Sequence, residues 1–185
     1  MKKLMIVVLM MLSTSAVFAG DSDALKAILK AKTYREAASL VKSSVNSLAT
    51  PAEKAKAYNY LVDLAMKAVT REQATIQANQ LVAQLKTGKV QPYDTLNYYK
   101  GIYDAIANAI ECDKYDNMPD VKGKVKPKFH QANQNKLYAL RTELINAGQN
   151  YGEGNKQEAF NNFALYVESA KSNLFKEIAA AKAPD

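Results

Sequence analysis

The residues with the widest chemical range in this chain are one histidine, one cysteine and a group of acids near them. His130 is the only histidine, so any Ser–His–carboxylate triad would have to use it. No G-x-S-x-G or other nucleophile context accompanies it, and a lone histidine at a helix start reads as a solvated or capping residue. Cys112, the only cysteine, cannot form an internal disulfide. Beside Ile106 and Ile110 it reads as a core thiol, and the alternative is a thiol open to intermolecular pairing. One Cys and one His do not supply the closely spaced ligand pairs of a zinc site. Glu111, Asp113, Asp116 and Asp120 carry the charge to attract calcium but lack the spacing of a calcium loop, so they read as solvated acids of a hinge. No glycine-rich loop is built to cradle phosphate. These residues argue against an enzyme, and no cofactor or metal is expected.

Two other groups suit recognition. Lys122-Gly123-Lys124-Val125-Lys126-Pro127-Lys128 sets four lysines on alternate positions of a Pro/Gly-constrained loop. Such a positive edge suits an acidic protein, a sulfated or uronic glycan, or lipid phosphates. The plainer alternative is a solvated connector, partly neutralised by Asp113, Asp116 and Asp120. Among the eleven tyrosines, Tyr58, Tyr99, Tyr103 and Tyr151 fall on apolar stripes and are expected to pack. Tyr60, Tyr98 and Tyr138 fall off them. With Arg141, Asn146 and Gln149 they form a candidate recognition surface, because tyrosine gives contact area at low entropic cost.

The elements that must position these residues are helices. Thr33-Tyr34-Arg35-Glu36, Thr50-Pro51-Ala52-Glu53, Thr70-Arg71-Glu72-Gln73 and Asn155-Lys156-Gln157-Glu158 each place a capping side chain three residues before Glu or Gln. Apolar residues recur in steps of three and four: Tyr58, Leu61, Val62, Ala65, Val69; then Ala74, Ala78, Leu81, Leu85; then Leu96, Tyr99, Tyr103, Ile106, Ile110. Leu137, Leu140, Leu144, Ala147, Tyr151 and Phe160, Phe163, Val167, Ala170 continue the pattern. The spacing predicts helices over about 22–31, 33–48, 51–69, 71–86, 92–114, 130–152, 156–170 and 172–182, with no sheet. Short connections make neighbours antiparallel hairpins, an all-α array.

The ends set the compartment. Lys2 and Lys3, the apolar run Leu4–Leu12 and Val17-Phe18-Ala19 read as a secretory signal over residues 1–19, cleaved near Ala19–Gly20. The apolar run is too short to span a bilayer, and no later stretch reaches that length, so no integral segment is expected after cleavage. Loss of two lysines lowers the formal charge from +7 to +5. An exported, mildly basic chain points to the periplasm or outer surface and away from nucleic acid. The remainder divides into an N-terminal helical block over 20–115, a basic Pro/Gly hinge loop over 116–129 and a C-terminal helical block over 130–185.

The stretch from Leu144 to Tyr166 resembles a tetratricopeptide repeat. Gly148 and Tyr151 match its first helix, Gly154 its turn, and Ala159 with Phe163 its second helix. Lys156 stands where that family usually has an aromatic. A fainter echo runs from Thr33 through Ala37 to Val41 and Val45, with Tyr34 in the aromatic place. Taken whole, the sequence is similar to exported tetratricopeptide-repeat proteins of Gram-negative anaerobes. That resemblance implies an α-solenoid or short helical array offering a groove to another protein or peptide. A glycan- or envelope-binding protein using the lysine loop and tyrosines is the alternative.

Overall fold

The computed structural model describes residues 20–181 and is all-helical, with eight α-helices among those residues. The signal reading of residues 1–19 lies outside the described residues. Helices α1 (Asp23–Lys30) and α2 (Tyr34–Ser44) lead through a 3₁₀ turn, Val45–Ser47, to α3 (Pro51–Leu85), which is the spine. Then come α4 (Thr95–Asp116), α5 (His130–Leu137), a 3₁₀ turn at Ala139–Thr142, α6 (Glu143–Tyr151), α7 (Lys156–Lys171) and α8 (Lys176–Ala181).

At three of the four boxes the cap bond is formed. Thr33, Thr50 and Asn155 accept from the backbone N–H of Glu36, Glu53 and Glu158. In the first two the glutamate reaches back one residue further than the cap: Glu36 accepts from Lys32 N and Glu53 from Ala49 N. Glu53 also accepts from Ser22 N, so a single carboxylate ties the start of α1 to the start of α3. The fourth box is not a helix start. Thr70 lies inside α3, because no Pro or Gly interrupts the chain there and Val69 and Glu72 remain on the buried face. The helices expected over 51–69 and 71–86 are therefore one.

Helices α3 and α4 form an antiparallel pair. Asp94 N donates to Glu72 at one end of it, and Cys112 Sγ reaches Ala55 O at the other. Gly101 lets them close: a Cβ there would lie 2.8 Å from the Val69 side chain and 3.3 Å from Ala65 O. Two apolar clusters sit on this pair. One joins α1 and α2 to the first half of α3 through Leu25, Ile28, Val41, Leu48 and Leu61. The other joins the middle of α3 to α4 and the C-terminal helices through Val69, Ile102, Ile106, Leu137, Leu144, Leu174 and Phe175. Tyr34 packs against both, and its hydroxyl accepts from Asn108.

The expected helix over 130–152 is broken. The chain tightens into the 3₁₀ turn at Ala139–Thr142, which carries the buried Arg141. The expected start of α4 at Pro92 moves to Thr95, where the Asp94 side chain accepts from Asn97 N. The last expected helix begins at Lys176 rather than Ser172. Ser172 is extended, and the turn after it drives Leu174 and Phe175 fully into the core. No helix of the described residues is long and apolar enough to cross a membrane.

Candidate functional site

Of the acids read as a solvated hinge, Asp113 and Asp116 are buried and engaged. Asp116 is the last residue of α4, and its carboxylate accepts backbone N–H bonds from Lys128 (2.9 Å), Phe129 (2.7 Å) and His130 (3.1 Å). It thus caps α5, whose own cap residue, Phe129, makes no side-chain bond. Asp113 meets His130 Nδ1 at 2.6 Å and also accepts from Asn117 and from Asn173 in the turn before α8. Neither acid is free to neutralise lysines, and together they clamp both ends of the 117–129 loop. This cluster is an anchor that sequence spacing does not reveal, because Asp113 and Asn173 are 60 positions apart.

Cys112 lies beside these acids, fully buried, with its thiol facing Ala55 O. Burial, with help from the nearby carboxylates, pushes the thiol well above its ordinary pKa. It is a core thiol, and the reading as a surface thiol for intermolecular pairing is corrected. Among the described residues no group of three or more His, Cys, Asp and Glu is placed to hold a metal.

The lysine loop is ordered by Asp120. Its carboxylate accepts from Lys122 N and Lys124 N, and these bonds, with the neighbouring lysines, hold it below the usual carboxylate range. Lys122, Lys124, Lys126 and Lys128 are all exposed, and none has an ion pair among the described residues.

The other recognition candidates separate. Asn146 and Gln149 are exposed on α6. Arg141 faces inward, 6% exposed. Its guanidinium donates to Ser169 Oγ (2.7 Å) and Tyr166 O (2.9 Å) and lies against the rings of Tyr138, Tyr166 and Phe175. It stitches α7 to the preceding 3₁₀ turn and does not belong to an exposed surface. Tyr138 is half-buried and packs on Phe175. Tyr98 is buried, and Tyr60 donates to Ala31 O.

Two exposed apolar faces stand where sequence periodicity expects core. On α7, Phe160 is 66% and Val167 53% exposed, with Phe163 between them. One side of the Phe163 ring covers Gly148, where a Cβ would lie 2.6 Å from it. The remainder of that stripe is open. On α3, Leu81 and Leu85 are 54% and 61% exposed, and Leu96 at the start of α4 is also open. An open groove lined by Arg71, Thr75, Tyr93 and Leu96 lies at the base of that end of α3. Periodicity finds such stripes but cannot say which will be covered, because coverage depends on how far the neighbouring helix extends. Comparison with protein-family models, with curated proteins and with solved structures finds no match.

Proposed function

We propose that this chain is a non-catalytic helical-repeat module of the cell envelope that takes a protein or peptide on the outer face of α7. The open stripe of Phe160, Phe163 and Val167 carries the reading. Steps of three and four present these side chains along one line, the form in which a helix face receives a second amphipathic helix. The same fold buries Leu174 and Phe175 completely just beyond α7, so the stripe is not left open by loose packing at that end of the chain. Export follows from the signal-like residues 2–19, and N-terminal sequencing of the protein recovered outside the cytoplasm should begin at Gly20.

The test is a photo-crosslinking residue placed at Phe160 or Val167 in living cells. A discrete adduct is expected there and not from the same residue at Lys26, on α1. No adduct at either α7 position, or an equal one at Lys26, would overturn the reading.

The four unpaired lysines favour a second reading, adhesion of the 122–128 loop to an acidic glycan or envelope surface. It expects retention on heparin or uronate polymer to fall with salt and to be lost when all four lysines become Gln.

A further inference from the structure

We infer that the free end of α3 pairs, antiparallel, with the same segment of a second copy of this chain. Beyond the contact of Glu72 with Asp94, α4 no longer lies beside α3. Residues 73–85 continue as an arm of about 20 Å at 1.5 Å per residue, rooted where Ile76 packs against the second cluster. The returning segment backs this arm on one side. Asn79 bonds Gln91 through both its amide oxygen and its nitrogen, each at 2.8 Å, and Gly88 lies against Val82.

The adjoining face, about a quarter turn round the helix from Asn79 and Val82, carries Ala74, Ala78, Leu81 and Leu85, all exposed. Their steps of four, three and four are those of a left-handed helix pair, with Thr75, Val82, Gln77 and Gln84 on the flanks. No ionisable residue lies between Glu72 and Lys86. Further back on this same face the helix is charged: Lys56 pairs with Asp21, Asp63 with Lys136, and Lys67 is exposed. The face turns from charged to apolar where the arm leaves the body.

This seam is complementary to itself. A twofold axis between Ala78 and Leu81 sets Ala78 against the second copy's Leu81, and Ala74 against its Leu85. Small meets large at every level, and no charge on the seam or its flanks opposes the approach. Gln77 of each copy then flanks Gln84 of the other. The tip lysines, Lys86 and Lys89, have no ion pair among the described residues. The antiparallel arrangement carries them toward the other copy's arm base, where Glu72 and Asp94 lie and Arg71 is held by Glu72. Four seam positions a side fall short of the roughly 1,200 Å² of a standard interface, so the pairing is concentration-dependent.

Sedimentation velocity on the purified chain should show monomer passing to dimer between about 10 µM and 1 mM, the range of a small interface. Leu81→Gln with Leu85→Gln should weaken the association at least tenfold with the thermal melt unchanged, since both side chains are exposed. Register is tested with two single-cysteine variants, Ala74→Cys and Leu85→Cys, the native Cys112 being buried. Mild oxidation of their mixture should give a cross-linked dimer that neither variant gives alone. A chain monomeric throughout that range, an association untouched by the double glutamine variant, or cross-linking as strong in either variant alone would overturn the inference. So would a monomer that binds phosphatidylglycerol vesicles through Leu81 and Leu85, which would give the face to lipid. None of these results bears on the α7 face.

Discussion

Arg141 shows how a residue chosen for recognition becomes structural. Its planar guanidinium satisfies Tyr166 O and Ser169 Oγ while lying against three aromatic rings, which a lysine cannot reproduce. Arg141→Ala should cost about 2–4 kcal/mol in urea unfolding, because buried acceptors lose a charged donor and the rings lose their cation. Arg141→Lys should recover only part of that. Glu72 makes a pH prediction. The Asp94 backbone N–H and the Arg71 guanidinium hold its carboxyl below the ordinary glutamate value of 4.5. A depressed folded pKa means the contribution is whole above 4.5 and is lost as pH falls through the lower folded value. Thermal melts should drop on acidification below that point, and the drop should be smaller in Glu72→Gln.

At the scale of elements, helix spacing is set by glycines and helix ends by distant carboxylates. In Gly148→Ala the new methyl meets the Phe163 ring, so overpacking of about 1–3 kcal/mol outweighs the roughly 1 kcal/mol that alanine gains in a helix. Adding Phe163→Ala should reverse the sign of the Gly148→Ala effect, a coupling readable in a double-mutant cycle by chemical denaturation. Asp116→Ala should cost about 1–2 kcal/mol by uncapping α5. Near-ultraviolet circular dichroism and hydrogen exchange should place the loss at residues 128–134. The loop at 117–129 was readable as non-helical from Pro119, Gly123 and Pro127. That its ends are clamped was not, because the clamp joins α4 to α5 and to the turn before α8.

The molecule as a whole is one spine with two apolar clusters and an arm beyond them. Tyr34 joins the clusters, and burial pushes its hydroxyl pKa up to about 12. Hydrogen exchange should therefore divide α3. Amides over 55–69, packed on both sides, should exchange at least tenfold more slowly than those over 75–85, which open without unfolding the body. Equal protection along α3 at low protein concentration would mean that the arm is held by contacts other than those seen.

The amino-acid sequence by itself determined that the chain is helical, where three of its caps lie and which residues share a face. These are local matters of spacing and hydrogen-bond chemistry within a few residues. It did not determine that Thr70 lies inside a helix, or that Arg141 and Asp113 turn inward. Nor did it show that the stripes of α7 and of the α3 arm stay open. Those outcomes depend on the lengths of α3 and α4, on where Leu174 and Phe175 enter the core, and on partners up to 74 positions away. A periodic stripe states that a helix has an apolar side, and only the packed neighbours decide whether that side meets core or water.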